Sequence, residues 1–279
     1  MKRIVSIQDI SCLGRCSLTA ALPVISAMGV ECAVLPTAVL STHTAFPGFT
    51  CRDLTDQLAP VADHWAAQGI RFDAIYTGYL ASAAQAEAVC QFFDRFKTPD
   101  TLLFVDPAMA DNGRPYAGFD ADFPRAMARV CARADVIVPN LTEACLLTGT
   151  AYRTAYGEDD LRGLLQALAA LGPRYAAITG VRLAPGQLGV LAYDRAEDRF
   201  FAHAGEHIPA SFHGTGDVFA SACVGGLMNG LDLAAALALA ADFTVECIRR
   251  TERTPDNWYG VEFERALPYL VRRVEDLRP

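Results

Sequence analysis

Short apolar runs alternate along the chain with longer stretches whose apolar residues recur every three or four positions. The short runs are rich in β-branched residues and predict strands, whereas the periodic stretches predict helices that each bury one face. The predicted strands are residues 3–7, 32–35, 74–77, 102–105, 136–138 and 176–179. The predicted helices are residues 17–28, 52–68, 82–96, 122–132 and 158–171, several of which end at a glycine.

This alternation predicts a mostly parallel sheet with helices on both faces. We therefore expect an α/β fold, a three-layer α/β/α sandwich with a central, mostly parallel sheet. Residues 189–193 and 199–204, joined by the charged turn 194–198, predict a hairpin before a helical C-terminal third. The sequence contains no repeat, linker or low-complexity segment, so we expect one domain over residues 1–279.

Composition and charge limit the partners of this fold. Of the 279 residues, 52% are hydrophobic and 20% are charged, and the formal net charge is −8 with scattered basic residues. Such a field repels nucleic acids and acidic membrane surfaces, so we expect neither as a partner. A polyanionic ligand would have to be bound by local devices, namely backbone amides, a helix N-terminus or a metal ion.

The N-terminal sequence does not predict a secretory signal. Met1-Lys2-Arg3 leads directly into a predicted strand, and no later apolar run reaches membrane-spanning length without charges. The nine cysteines are an odd number spread along the chain, which is typical of reduced thiols. These features predict a soluble, cytoplasmic protein.

A glycine-rich segment is the strongest candidate for binding phosphate. Gly214-Thr215-Gly216-Asp217 precedes a small-residue stretch that predicts a buried helix. Glycines allow backbone N–H groups to approach an anion, and the helix dipole favours negative charge there. Asp217 falls in the first helical turn, where an acidic residue is often only a cap. A phosphoryl-transfer site, however, needs a carboxylate beside the phosphate to take the proton of the attacking hydroxyl.

Two other phosphate-binding motifs do not fit. The Gly-x-x-x-x-Gly-Lys-Ser/Thr pattern of a P-loop is absent from the sequence. Gly214-Thr215-Gly216 lacks the third glycine and the N-terminal βαβ context of a dinucleotide-binding fold. An anion-binding loop that carries its own base is therefore the favoured interpretation.

Polar residues also follow several predicted strands, where ordinary turns would suffice. The carboxyl ends of parallel strands meet at one edge of the sheet, and ligands bind in the crevice there. Convergence of several such loops indicates a site more strongly than any one of them. The loops are Gln8-Asp9, Thr42-His43-Thr44, Gly78-Tyr79, Asp106-Pro107 and Asn140-Leu141-Thr142-Glu143.

Together these motifs resemble the ribokinase-like superfamily and, within it, the pyridoxal/pyridoxamine kinases. The resemblance covers nearly the full length, and the order and spacing of the motifs are more specific than any single one. The motifs are Ser6-Ile7-Gln8, Ser41-Thr42-His43-Thr44, Thr77-Gly78-Tyr79, Asp106-Pro107-Ala108-Met109-Ala110-Asp111, Pro139-Asn140-Leu141-Thr142-Glu143 and Gly214-Thr215-Gly216-Asp217.

The resemblance implies a reaction and a base. The protein would move the γ-phosphoryl group of Mg·ATP onto the hydroxymethyl group of a vitamin B6 vitamer. Gly214, Thr215 and Gly216 would form the anion hole, and Asp217 would deprotonate that hydroxymethyl group.

Metal and nucleotide ligands follow from the same resemblance. Asp106 and Glu143 would hold Mg²⁺, which prefers hard oxygen ligands. Asp111, Asn140 and Thr179 would bind ATP. The resemblance further implies a monovalent cation and a homodimer. Without it, Asn140 and Glu143 would be interpreted as a turn and a helix start.

Three residues match family positions that line the pyridine ring, namely His43, Thr44 and Tyr79, and Asp9 occupies a further substrate-binding position but departs from the family pattern. Pyridoxal kinases commonly carry serine at the position of Asp9, against the polar edge of the ring. A carboxylate there can pair with a protonated aminomethyl group or accept from an aminopyrimidine, but gains nothing comparable from an aldehyde. Our hypothesis is a preference for pyridoxamine or hydroxymethylpyrimidine over pyridoxal.

Two alternatives stay open. A hydroxymethylpyrimidine kinase would use the same fold and chemistry on another ring. A non-catalytic nucleotide- or vitamin-binding protein would keep the fold without turnover, although the intact Asp217 and its glycines argue against it. Val138, where the family often has threonine, and Gly180, beside the expected nucleotide edge, also depart from the family pattern.

Overall fold

A nine-stranded sheet forms the centre of the protein in the computed structural model, which describes residues 1–116 and 118–277. A separate ribbon consists of β6 and β7. The strands are β1 Arg3–Leu13, β2 Glu31–Thr42, β3 Cys51–Asp53, β4 Ala74–Thr77, β5 Leu102–Val105, β6 Ala110–Asp111, β7 Arg114–Pro115, β8 Val136–Ile137, β9 Tyr175–Ala184, β10 Gln187–Asp194 and β11 Arg199–Glu206. The helices are α1 Ser17–Ala27, α2 Thr55–Ala67, α3 Ala83–Phe96, α4 Phe123–Cys131, α5 Leu141–Thr148, α6 Glu158–Ala170, α7 Thr215–Met228, α8 Leu233–Arg250 and α9 Leu267–Leu277.

The central strands of the sheet are parallel. Their order is β11-β10-β9-β8-β5-β4-β1-β2-β3, and every neighbouring pair from β9 to β2 is parallel. Antiparallel strands lie at both edges, with β3 next to β2 and the β10–β11 hairpin next to β9. The predicted mostly parallel sheet and the predicted hairpin are both confirmed.

Successive residues of the central strands enter two different cores. Val5 and Ile7 of β1 pack with residues of α2 to α6, whereas Ile4 packs with residues of α1, α7, α8 and α9. This two-residue period is what a strand covered on both faces requires. The predicted three-layer α/β/α sandwich is therefore confirmed. None of the helices in the described part of the chain is long and apolar enough to cross a membrane.

Some element bounds differ from those predicted. Strands β1, β2 and β9 run well past their predicted ends, because β1 and β2 pair with each other and β9 pairs with β10 along those extensions. Residues 52–53, predicted as helix, belong to β3. Helix α2 begins at Thr55, whose N–H donates to Asp53 Oδ1 at 2.7 Å. The sequence indicated a helix start at Asn140 and Glu143 only as an alternative, and it did not predict the extent of α5 or the β6–β7 ribbon, whose strands are very short.

Candidate active site

Helix α7 begins at the glycine-rich segment and presents free backbone N–H groups. Gly214 is its N-cap, with φ of 81°, and a Cβ there would lie 1.8 Å from the Arg15 carbonyl oxygen, so only glycine fits. The first intrahelical bond runs from the Val218 N–H to Gly214 O at 3.0 Å, which leaves the preceding N–H groups of the turn without helical acceptors. A Cβ on Gly216 would meet nothing within 4 Å. The start of α7 is therefore an open site for an anion.

Asp217 lies in the first turn of α7, as predicted. The pKa of its carboxyl group is raised to about 7, mainly by burial, while a hydrogen bond from the Ser17 backbone N–H lowers this pKa and the negative charge of Asp9 raises it. A carboxylate that titrates near neutral pH is suited to accept a proton from a hydroxyl group. The residues after it, Val218 to Gly226, are buried, as the small-residue pattern predicted.

Two further carboxyl groups lie near Asp217. Asp106 follows β5 and is 6% exposed, and burial together with the charges of Glu143 and Asp217 raises its pKa well above the usual range. Burial also raises the pKa of Glu143, to about 8. The three carboxyl groups are buried without a cationic partner among the described residues.

Asn140 and Glu143 form a capping box at the start of α5. Asn140 Oδ1 accepts from the N–H groups of Thr142 and Glu143 at 2.9 and 3.0 Å. The two Glu143 oxygens accept from the N–H groups of Met109 at 3.0 Å and Asn140 at 2.8 Å. The helix-start interpretation of these residues is therefore confirmed, and any role toward metal or nucleotide would be additional to it.

The predicted nucleotide ligands lie beside this capping box. Asn140 Nδ2 donates to the Ala110 carbonyl at 2.8 Å, which fixes β6 against α5. Asp111, the next residue, is exposed and accepts from the backbone and side chain of Asn112. Thr179 of β9 forms an isolated parallel bridge with Asn140. The three predicted ATP ligands thus lie on adjoining elements, and their role toward ATP stays a prediction.

His43 uses both ring nitrogens within the protein. Its Nε2–H donates to the Tyr259 carbonyl at 2.7 Å, and its Nδ1 accepts from the Ala45 N–H at 3.2 Å. Burial lowers the pKa of His43, which is consistent with this neutral tautomer. The side chain therefore joins the turn after β2 to the segment before the last helix, and its nitrogens are not free to bind a pyridine ring.

An aromatic cluster surrounds the hydrogen bond between His43 and Tyr259. We use this name for His43, Phe46, His213, Trp258 and Tyr259. The His43 ring centroid lies 4.7 Å from that of His213 and 4.9 Å from that of Phe46, and the Phe46 and Trp258 centroids are 4.5 Å apart. His213, whose role the sequence did not decide, precedes the anion-binding glycine. The cluster therefore connects the predicted substrate segment to the start of α7.

The other predicted ring-binding residues lie at the ends of β1, β2 and β4. Asp9 is 3% exposed and accepts from the Ser11 hydroxyl at 3.0 Å. Burial and the charge of Asp9 raise the pKa of Tyr79 to about 12, and its ring centroid lies 5.4 Å from that of Phe119. Thr44 is exposed in the turn after β2. Contact of these residues with a substrate ring stays a prediction.

Sequence reasoning missed Ser17, the first residue of α1. Its hydroxyl lies within hydrogen-bonding reach of the Asp9 carboxylate, and its backbone N–H within reach of Asp217. A serine before a helical pattern is usually an ordinary start, so no sequence feature marks it. Described residues contain no cluster of three or more His, Cys, Asp or Glu side chains with metal-binding geometry.

The fold and the site together define a kinase of the α/β/α class, with an anion-binding helix start and an adjacent carboxylate. The chain belongs to the phosphomethylpyrimidine kinase family, whose model matches residues 16–260. The predicted resemblance to the pyridoxal kinases of this fold is confirmed by the relatives below.

Solved structures and curated relatives agree with this assignment. A candidate phosphomethylpyrimidine kinase from Bacteroides thetaiotaomicron, crystallised with pyridoxal, is 40% identical with a TM-score of 0.92, over 96% of this chain and 95% of that one. Pyridoxal kinase from Lactobacillus plantarum is 34% identical with a TM-score of 0.91, over 100% of both chains. Pyridoxal kinase PdxY from Granulibacter bethesdensis is 27% identical over 89% of both sequences.

Proposed function

We propose that this protein phosphorylates the hydroxymethyl group of a vitamin B6 vitamer, namely pyridoxamine, pyridoxal or pyridoxine, with ATP as the phosphate donor. The observation that carries the proposal is the position of Asp217, one turn from an open anion site, with its pKa near 7. The pyridoxal kinases among the relatives, and the relative crystallised with pyridoxal, support the choice of ring.

The proposed reaction is an in-line phosphoryl transfer. The hydroxymethyl oxygen attacks the γ-phosphorus, its proton passes to the Asp217 carboxylate, and the bond from that phosphorus to the bridging oxygen breaks so that ADP leaves. Backbone N–H groups of Gly214, Thr215 and Gly216 donate to the phosphoryl oxygens, where negative charge develops. Asp111, Asn140 and Thr179 are the proposed ATP contacts.

The residues of the site fit a Mg²⁺ ion that is held partly by the protein and partly by the substrate phosphates. The buried Asp106 carboxyl group has no donor that lowers its pKa, so a cation would compensate it. Mg²⁺ commonly binds one or two protein carboxylates together with substrate phosphates. We propose that Asp106 holds the ion, with Glu143 nearby. When bound, it neutralises phosphate charge. A monovalent cation stays a prediction from the resemblance.

An ADP-release assay tests the proposed function. It compares pyridoxal, pyridoxamine, pyridoxine and hydroxymethylpyrimidine, with the wild type and with Asp217→Asn. We expect ADP release with at least one B6 vitamer and a decrease in kcat of about 10²- to 10⁴-fold in the variant, because a general base contributes that much. Near-normal turnover by the variant would show that Asp217 is not the base. Vitamer binding with no ADP release in the wild type would favour a non-catalytic binding protein.

A hydroxymethylpyrimidine kinase is the second candidate function. The family model that matches residues 16–260 carries the description phosphomethylpyrimidine kinase, and this match supports it. The same assay decides between the two rings, since the chemistry at the hydroxymethyl group is shared. We further propose one catalytic domain, a cytoplasmic location and a homodimer, and light scattering after gel filtration tests the last of these.

A further inference from the structure

Ser17 has a backbone conformation that a residue with a side chain rarely adopts. Its φ is 48°, in the left-handed region, although it is the first residue of α1 and 5% exposed. Strained backbone of this kind persists only where the surroundings hold it, and it is concentrated at functional sites. Here Thr19 Oγ1 donates to the carbonyl oxygens of Gly14 at 2.9 Å and Cys16 at 2.7 Å, which fixes the segment before Ser17.

Two donor groups of Ser17 interact with two different carboxylates. The Ser17 hydroxyl lies within hydrogen-bonding reach of Asp9, and its backbone N–H within reach of Asp217. Asp9 belongs to β1 and Asp217 to α7. Ser17 therefore connects the strand predicted to face the substrate ring with the proposed base.

The Asp9 carboxylate has hydrogen-bond donors but no counter-charge. Its partners are the hydroxyl groups of Ser11 and Ser17, and no Lys, Arg or His side chain in residues 1–116 and 118–277 contributes to its interactions. A carboxylate that is 3% exposed and lacks a cation is costly to bury. A substrate that carries its own positive charge to this position would compensate that cost.

We propose that Asp9, Ser11 and Ser17 form a subsite that selects a ring with an amine beside its hydroxymethyl group, and that Ser17 positions this subsite relative to Asp217. The inference rests on the proposed function. In pyridoxamine the protonated aminomethyl group and the reacting hydroxymethyl group are on adjacent ring carbons, so they match two carboxylates joined through one residue. Pyridoxal presents an aldehyde oxygen, which is an acceptor and cannot pair with a carboxylate.

The first experiment compares Asp9→Asn with the wild type. Asparagine keeps the shape of the side chain and removes its charge. We expect the ratio of kcat/KM for pyridoxamine to that for pyridoxal to decrease about 10- to 100-fold, the range for a lost charged hydrogen bond. Pyridoxine, a neutral donor at the same carbon, should change less. A ratio that is equal in the wild type and in Asp9→Asn would overturn the proposal.

The second experiment separates the Ser17 hydroxyl from its backbone strain. Ser17→Ala and Ser17→Gly both remove the hydroxyl, but only glycine adopts a positive φ without strain. Both variants should raise KM for pyridoxamine by about 2- to 10-fold, the range for a neutral hydrogen bond, with KM for ATP unchanged. The melting temperature should be higher for the glycine variant than for the alanine variant. A glycine variant with the wild-type KM for pyridoxamine would exclude a role of the hydroxyl.

Binding measurements keep this inference distinct from the proposed function. Calorimetric titration of the wild type and Asp9→Asn with pyridoxamine and with pyridoxal, without ATP, reports the selectivity directly. If no vitamer is phosphorylated but pyridoxamine binds more tightly than pyridoxal, the proposed function fails and the subsite stands. If both vitamers are phosphorylated and bind equally well, the proposed function stands and the subsite proposal fails. Hydroxymethylpyrimidine, with a neutral amine beside its hydroxymethyl group, shows whether the charge or the donor is recognised.

Discussion

Asp217 should control the acid limb of the pH profile. Because its pKa is raised to about 7, mainly by burial, the protonated and inactive form predominates below that pH. We expect kcat/KM for pyridoxine to rise about tenfold per pH unit below pH 7 and to level off above it. Steady-state rates from pH 5.5 to 9 measure this.

A second variant serves as control for that profile. The charge of Asp9 contributes to the raised pKa of Asp217. Asp9→Asn should therefore move the inflection of the profile to lower pH, provided that Asp217 is the titrating group. An inflection that stays in place in Asp9→Asn would assign the limb to another residue.

His43 should affect vitamer binding through the loop that it holds. Phenylalanine would keep the ring packing but lose the bonds to Tyr259 and Ala45, whereas glutamine can donate and accept at similar distances. We expect His43→Phe to raise KM for the vitamer about tenfold, with KM for ATP unchanged, and His43→Gln to show a smaller increase. Equal KM values in both variants and the wild type would mean that the bond to Tyr259 does not position the loop.

These residues also show what a sequence can and cannot reveal. The position of Asp217 in a helical turn was predictable, because a glycine pair and the following helix are local features. The role of His43 was not, since its acceptor lies 216 residues away in the chain. The positive φ of Ser17 could not be read from a serine at all.

The start of α7 offers a matched pair of glycine substitutions. In Gly216→Ala the new methyl group would meet nothing within 4 Å beyond its chain neighbours and its own helix backbone, so folding should be unaffected, but it would occupy space predicted for phosphate. Gly214→Ala would place Cβ 1.8 Å from Arg15 O at a φ of 81°. We expect a higher KM for ATP at an unchanged melting temperature for Gly216→Ala, and a clear loss of stability for Gly214→Ala. A normal KM in Gly216→Ala would place the phosphate elsewhere.

Element lengths were harder to predict than element types. Hydrophobic periodicity identified the central strands and the hairpin, because each of these strands buries a face. It did not identify the outer part of β1, where polar residues are buried, or the exposed strand β3, and the conformation of both depends on pairing with β2. Helix α5 was missed because its eight residues are mostly buried and show little amphipathic contrast, although its capping box was visible as Asn140 and Glu143.

The buried carboxyl groups should make the stability of the protein dependent on pH. Folding raises the pKa of Asp106, of Asp217 to about 7 and of Glu143 to about 8, so the folded state holds protons that the unfolded state has released. Their stabilising contribution is complete at acid pH and is lost as pH rises through these values. We expect the melting temperature to decrease between pH 6.5 and pH 8.

Two changes should reduce that pH dependence. Asp106→Asn removes one of the like charges, and Mg²⁺ with ADP would compensate them. Thermal denaturation at both pH values, for wild type and variant with and without the ligands, provides the comparison. The measurements begin at pH 6.5 because burial lowers the pKa values of His43 and His213. At lower pH these two groups make the protein less stable as pH falls, which opposes the effect of the carboxyl groups. An unchanged slope in Asp106→Asn would show that these carboxyl groups do not control it.

The register of β1 and β2 has a consequence for insertions and deletions. Gln8 pairs with Pro36 but Ile10 pairs with Val39, so two residues of β2, Thr37 and Ala38, lie opposite Asp9. Two residues opposite one form a β-bulge, which bends the strand and increases its twist, so removing either residue would straighten β2 beyond this point. His43, just beyond that strand, would then be displaced relative to Tyr259. Homologous chains that keep this pocket should therefore tolerate substitution at these two positions, but not a change in their number.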